Sequence, residues 1–325
     1  LILVDLYQAT GGENWTNNDN WLQGSVESWF GITTADGRVS GIQLIGNNLR
    51  DTVPTSIWEL DSITTLTISR GDFYNQIPST VNNLKKLKRI DFHNTITLYG
   101  LPEELYDVKT LEIIYLRVSH LDSVQLSPKI GELEDLIFLW IQGLHGSFPA
   151  ELNELTKLQS MSFSGGITFG SGDARYINGG VFPTLDNLQS LSYVQITSYE
   201  FENNFVGSLA LNPLLDDLLI NDCIFKGGFK VPTNLANSTS LRTIRFANIN
   251  LDEETFPLTL LQIPNLTELD FYQFSDFEKY AITGALPNEV NSSSLRSIDL
   301  RGHDLTALPE ITSEIIQSLN VENNR

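Results

Sequence analysis

Twelve times between Ile42 and Val321 apolar residues recur as L-x-x-L-x-L, with polar or small residues between them. The second apolar position of each unit falls at Ile42, Leu66, Ile90, Ile114, Leu139, Met161, Val194, Leu218, Ile244, Leu269, Ile298 and Leu319. The intervals are 24, 24, 24, 25, 22, 33, 24, 26, 25, 29 and 21 residues. An L-x-L alternation is that of a short strand with one face buried. A step of one apolar residue and proline follows most strands, at Val53-Pro54, Ile77-Pro78, Leu101-Pro102, Phe148-Pro149, Val231-Pro232, Phe256-Pro257, Leu286-Pro287 and Leu308-Pro309. Beyond the proline, as in PSTVNNLKKL and PEELYDVKTL, apolar residues fall three or four apart, a helical period. Proline fits a first turn because its missing N–H has no helical partner there. Each unit therefore predicts one short strand and one tight helical turn, and stacking such units buries a continuous core.

The skeleton and its interval resemble the leucine-rich repeat. The tail L-x-G-x-I-P, nearly complete in LHGSFP around Gly146 and ITGALP around Gly284, resembles the plant-type subclass. The resemblance implies an α/β solenoid: a horseshoe or arc with about twelve short parallel strands on its concave face and 3-10 or short helical turns on its convex face. Residues 39–325 are then the repeats, the last one truncated, with an insertion at 165–182 whose glycine-rich part is 165–180. A second irregularity, FSDFEKYA, lies at 274–281. Residues 1–38 differ in composition and are expected to be a helical, Trp-rich cap over the open end of the first coil. Leu1, Leu3, Val4, Leu6 and Tyr7 suit one helix face, Gly11 and Gly12 end it, and Trp15, Trp21, Trp29 and Phe30 supply sealing area.

The run Trp29-Phe30-Gly31-Ile32 resembles the W-x-G-V motif of plant-type caps. That family normally has a disulfide around the motif, whereas Glu27, Ser28, Thr33 and Thr34 surround it here. Such cysteine-free caps resemble those of bacterial, Bacteroidetes-like cell-surface leucine-rich repeat proteins. The family's asparagine ladder, which satisfies backbone groups where each strand bends away, reads as eroded: its positions hold Asn47, Gly71, Thr95, Ser119, Gly166, Tyr199, Cys223, Ile249, His303 and Asn324. Cys223 is expected to be a buried structural thiol.

Composition narrows the partners. With 40 acidic against 20 basic residues the net charge is −20, which repels nucleic acid and anionic membrane surfaces. One cysteine excludes an intrachain disulfide, and no run of about 18 apolar residues is present to span a membrane. The single methionine is Met161, so the chain reads as a mature or trimmed piece whose signal peptide has been removed. An extracellular or cell-surface monomer is expected.

With the apolar positions pointing inward, the residues between them face out from the sheet. The third unit presents Arg89, Asp91 and His93; the fourth Ile113, Tyr115 and Arg117; the fifth Phe138, Trp140 and Gln142; the sixth Ser160, Ser162 and Ser164; the seventh Tyr193, Gln195 and Thr197. A groove walled by Trp140, Phe138 and Tyr193 and floored by the serines is expected, beside the insertion. Its ligand-binding set is Arg89, His93, Ile113, Tyr115, Arg117, Phe138, Trp140, Gln142, Ser162, Tyr193 and Gln195. Trp, Tyr and Arg are enriched at binding hot spots. A glycan and a protein suit such a groove equally, and the alternative is that the aromatic rings simply pack on one another. Farther along, Arg245, Glu268, Asp270, Asp299 and Arg301 are expected to pair across the sheet.

Catalytic chemistry is poorly served. Asp270 and Asp299 stand at equivalent positions on neighbouring strands, as a retaining glycosidase pair requires, but beside arginines and on a wet face. His120 and His145 share an offset after their strands without a third ligand to complete a zinc site. The turn at 17–20 has calcium-like composition that turn formation explains equally. Sequons at Asn14, Asn237, Asn265 and Asn291 matter only in a eukaryotic secreted protein. The expected function is a non-enzymatic recognition module that binds a protein or glycan, with no cofactor or metal. A stiff acidic spacer is the alternative, and glycoside hydrolysis a remote third.

Overall fold

The computed structural model describes residues 1–93, 97–98, 100–117, 125–165, 176–253, 255–274, 280–286, 294–307 and 316–324. They form two compact units, Leu1–Leu144 and His145–Arg325.

The first unit opens with the α-helix Ile2–Ala9, which buries Leu3 and Leu6 and leaves Leu1 in solvent. Thr10 closes it, and Gly11 turns the chain away with φ 67. The rings of Tyr7, Trp15, Trp21 and Trp29 follow one another with centroids 4.8–5.7 Å apart. Each indole N–H donates to a backbone carbonyl at 2.9–3.0 Å: Trp15 to Thr10, Trp21 to Phe30, Trp29 to Gln23. Phe30, expected among the sealing rings, is instead 40% exposed. The extended backbone at Trp29 sends neighbouring side chains to opposite sides, and only Trp29 joins the cluster. Gly31 then adopts φ 76, and a Cβ there would lie 2.5 Å from the Gln43 carbonyl oxygen, which is why the motif needs glycine. Asn47 ties this segment to the first coil, its amide bonding both the N–H and the C=O of Asn17 at 2.7 and 2.8 Å.

The hairpin of Ile32–Ala35 and Arg38–Ile45 starts a sheet that Thr65–Ser69, Arg89–Phe92, Ile113–Arg117 and Phe138–Gln142 extend in parallel. Ile42, Leu66, Ile90, Ile114 and Leu139 are mutual register partners, each at most 1% exposed. The predicted alternation is therefore met in frame. Between strands the chain makes single 3-10 turns at Thr55–Glu59, Ser79–Asn83, Glu103–Asp107 and Pro128–Glu132. In three of these the proline of the apolar-proline step is the residue before the turn, not its first member, and its carbonyl accepts the closing bond from Ile57, Val81 or Leu105. Proline serves there by fixing φ between −69 and −81, a kink from strand into turn.

The second unit repeats the plan with Ser160–Ser164, Tyr193–Thr197, Asp217–Phe225, Thr243–Ile249, Glu268–Tyr272, Ser297–Asp299 and Ser318–Asn320, all parallel. Met161, Val194, Leu218, Ile244, Leu269, Ile298 and Leu319 align in register; all are buried but Leu319, in the last strand, which is partly exposed. Within the glycine-rich insertion Ile177–Gly180 is a strand beside Tyr199–Phe201. Its residues 166–175, like 275–279 of the second irregularity, lie outside the described residues. Cys223 is fully buried, donates to the Asn221 carbonyl, and has its pKa pushed up to about 12 by desolvation, so it is an inert packing thiol.

The ladder is better preserved than its fixed positions suggest. Asn250 bonds both the N–H and C=O of Phe225 at 2.7 and 2.8 Å, and Gln273 does the same for Ile249 at 3.1 and 2.7 Å. His303 continues the series: Nε2 lies 2.9 Å from the Phe271 carbonyl and Nδ1 accepts from the Ile282 N–H at 3.2 Å. Asn324 takes Leu300 and Leu305. The two bonds of His303 require a neutral ring with its proton on Nε2, and desolvation accordingly lowers its pKa from 6.5 to about 4. A proton is thus bound by the unfolded chain before the folded one: stability is full above about pH 6.5 and falls by about 3 kcal/mol as the pH drops to about 4. Melting curves of wild type and His303→Gln at pH 7 and pH 4.5 check this, since glutamine keeps one donor and one acceptor without titrating. The gap between the two proteins should change with pH, and parallel curves would discard the assignment.

Candidate ligand-binding site

On the outward face of the first unit the strands bring together a column of rings. Neighbouring strands lie about 4.8 Å apart, close to the thickness of a stacked ring pair, so aromatic residues at facing positions stack along the sheet. His93 lies on Tyr115 with centroids 4.2 Å apart and planes at 10°, and Tyr115 lies on Trp140 at 4.2 Å and 12°. Phe138 leans on Tyr115 and Trp140 at 6.0 and 6.2 Å. Ile113, the register partner of Phe138, continues this apolar strip, and Arg117 faces Gln142 one step beyond the rings.

The column rests on a buried charge. Asp91 is 1% exposed and divides its oxygens between two neighbours, Oδ1 to His93 Nδ1 at 2.5 Å and Oδ2 to Arg89 Nη2 at 2.6 Å. Arg89 Nε also reaches Thr67 Oγ1 at 3.3 Å. Arg70 Nε lies 3.4 Å from His93 Nε2, so the imidazole is held on both edges, donating from Nδ1 to Asp91 and accepting at Nε2. Desolvation, and after it the Asp91 charge, pushes the Tyr115 hydroxyl up to about 12, so it stays protonated and uncharged. Arg70 was absent from the expected set. It sits in the turn after its strand with φ 58, outside the alternating positions from which that set was drawn.

Three expected residues, Ser162, Tyr193 and Gln195, lie on the second unit. Tyr193 and Gln195 join through Oη to Oε1 at 2.7 Å and are partly exposed. Ser162 is 3% exposed, a correction to its place on the groove floor: a side chain this short, facing out from the sheet, does not reach solvent. Farther along, Asp270 and Asp299 are register partners, as expected. Arg245 grips Asp270 at 2.6 and 2.7 Å, and Arg301 chelates Asp299 at 2.7–2.9 Å while lying over the rings of Tyr272 and Phe274. Both carboxylates are thus ion-pair partners, not a free acid and base. The calcium-like turn is internally bonded: Asn17 engages Asn47 and Asp19, Asn18 the Gly12 carbonyl, and Asn20 the Ser28 carbonyl. Among the described residues no group of three His, Cys, Asp or Glu side chains converges for a metal ion, and His120 lies outside them.

Superposition on solved structures decides the fold. The ectodomain of the plant receptor kinase GASSHO1/SCHENGEN3 from Arabidopsis thaliana, solved with CASPARIAN STRIP INTEGRITY FACTOR 2, matches 99% of the chain with a TM-score of 0.75 at 18% identity. The chain has the leucine-rich repeat fold. This leucine-rich repeat chain covers 41% of that ectodomain. The ectodomain of the Arabidopsis receptor kinase HAESA, bound to an IDA peptide hormone, matches 92% of it at a TM-score of 0.57 and 18% identity, over 57% of its own length. A leucine-rich repeat protein of Leptospira interrogans matches 87% at a TM-score of 0.60 and 18% identity, over 79% of its own length. By sequence the chain is similar to Receptor-like protein 39 of Arabidopsis thaliana, 27% identical over 49% of the chain, and to TMV resistance protein N of Nicotiana glutinosa, 26% identical over 56%. It spans 17% and 15% of the length of these curated relatives. No family model matches the sequence.

Proposed function

We propose that this chain is a non-enzymatic recognition module that binds a protein or peptide through the outward sheet face of its first unit, with His93, Tyr115 and Trp140 as the anchor. The observation that carries this reading is the ring column itself. It is fixed from beneath by Asp91 and presents rigid aromatic edges to solvent, which bind at small cost in side-chain entropy. Stacking on both sides covers the faces of Tyr115, so that ring offers no platform to a sugar, which favours a protein over the glycan alternative. The complexes formed by GASSHO1/SCHENGEN3 and by HAESA support the same choice. Those neighbours are ectodomains, which supports an extracellular or cell-surface place. The cysteine-free cap is the feature that supports a bacterial surface protein.

Protein and glycan arrays probed with the folded chain, then with the double variant Trp140→Ala, Tyr115→Ala, test the proposal. Two hot-spot anchors are worth about a hundredfold in affinity, and the captured protein should be lost by that factor. Both rings are partly exposed, so the melting temperature should move by about 5 °C or less. Capture of glycans alone, or of proteins that the double variant holds equally well, would sink the reading.

A further inference from the structure

The second unit holds a cavity of about 550 Å³ that the ring column does not use, and we propose that it binds a neutral saccharide. Its polar lining is Lys230, Asp252, Glu253, Tyr280 and Thr283, and Leu251 and Ala281 add an apolar wall. All of these residues follow strands of the second unit, so the site stands or falls independently of the face that carries His93, Tyr115 and Trp140. One wall is tightly built. Phe229 and Leu251 pair as a parallel bridge, and the Asp252 N–H donates to the Phe229 carbonyl at 2.9 Å. Gly228, with φ 86, permits that approach: a Cβ there would lie 2.4 Å from the Cβ of Asp252. The opposite wall, from Tyr280 to Thr283, leads into the strand Thr283–Ala285, which pairs with Asp304–Ala307.

Lys230 Nζ and Asp252 Oδ2 lie 3.3 Å apart, and Glu253 accepts from the Val231 N–H at 2.7 Å through Oε1. Burial raises the Glu253 carboxyl above its ordinary pKa, so this acceptor is short of water. An ammonium, two carboxylates and two hydroxyls therefore border one space. A sugar hydroxyl both donates and accepts, so a polyol satisfies both kinds of group at once, and the C–H face of a sugar ring fits Tyr280, Leu251 and Ala281. The volume falls within the range of about 300–1,000 Å³ of small-molecule sites. One ammonium against two carboxylates, in a chain of net charge −20, disfavours phosphate and other anions. A cation would have to compete with Lys230 for Asp252, and among the described residues no group of three acidic, histidine or cysteine side chains converges to hold a metal ion.

An array that carries neutral hexose and N-acetylhexosamine oligosaccharides beside sulfated and sialylated ones, followed by calorimetric titration of the folded chain with each sugar captured, tests this. Neutral oligosaccharides should be held. Glu253→Gln keeps the side-chain volume and the acceptor for Val231 while removing the charge, and Thr283→Val keeps the shape without the hydroxyl. Each should weaken binding about tenfold, a loss of about 1.4 kcal/mol, whereas Trp140→Ala with Tyr115→Ala should leave it unchanged. Glu253 is half-buried and Thr283 exposed, so neither substitution disturbs the core, and melting curves confirm that both variants are folded. Capture of no saccharide, or of sulfated and sialylated ones only, would overturn the proposal. So would neutral sugars that both cavity variants bind as tightly as wild type; if the ring variant lost them, the glycan would belong to the first unit's face. Capture of a protein through the rings is read out separately, so the recognition proposal can stand when this one fails.

Discussion

Replacing Asp91 by alanine is expected to destabilise the first unit by about 4 kcal/mol and to dismantle the ring column. The carboxylate is 1% exposed and holds two partners, so its removal leaves His93 with a buried, unpaired Nδ1 and frees Arg89. Breaking a buried pair from one side costs about 3–5 kcal/mol because the surviving group loses both water and partner. Arg89, with 36% of its side chain exposed, can turn to solvent, whereas His93, 9% exposed, cannot without leaving Tyr115. The loss should therefore pass into the stack. Asp91→Asn keeps the shape and one acceptor but loses the charge, and should cost about half as much. Chemical denaturation gives the stabilities, and the near-ultraviolet dichroism of the coupled rings should fade in Asp91→Ala. An Asp91→Ala protein with wild-type stability and dichroism would show that the carboxylate does not support the column.

Why this support escapes the sequence pattern is a matter of distance scales. The alternation within each repeat reports which side of the sheet a residue takes, because burial of every second residue is worth several kcal/mol per repeat and no other register satisfies it. Thus Ile42, Leu66, Ile90, Ile114 and Leu139 align as their spacing implies. The same alternation places Asp91, Tyr115 and Trp140 in one row facing out. It does not say that Asp91 is covered. That follows from the χ angles of Arg89, His93 and Tyr115, whose choices are worth about 1 kcal/mol each and leave no periodic trace. Rings packing on one another, the bland alternative to ligand contact, is what the column does; the edges that this leaves exposed are what the recognition proposal uses.

The ladder shows a related limit. Counting five residues on from the central apolar position finds Asn47, Cys223, His303 and Asn324 but lands on Ile249 where the bonding residue is Asn250. In the next coil the bonding residue is Gln273, four residues after Leu269, and its longer side chain makes up the missing step. Satisfaction of buried backbone groups is the constraint, and more than one residue at more than one offset meets it. A search for the donor and acceptor function, not for one letter at one place, recovers the series.

Replacing Trp21 by alanine is expected to cost about 4 kcal/mol, as large an effect as at Asp91 but with a different consequence. Trp21 is 4% exposed and sits in the middle of its series, against Tyr7, Trp15 and Trp29. Its loss opens a cavity that three large rings line and leaves the Phe30 carbonyl without its indole donor. The helix Ile2–Ala9 has too few residues to hold without packing, so it should fray with the cluster. In a stack of repeats each coil supports its neighbour, and an end coil stripped of its cover loses its own stability first. Hydrogen exchange in Trp21→Ala should accelerate through the helix and the strands Ile32–Ala35 and Arg38–Ile45, and progressively less toward Phe138–Gln142. Affinity at the ring column, whose nearest member His93 follows Arg89–Phe92, two strands farther along than Arg38–Ile45, should fall by less than about threefold at 25 °C. Uniform acceleration across the whole unit, with loss of binding in proportion, would mean instead that the Trp-rich segment and the repeats unfold as one cooperative body.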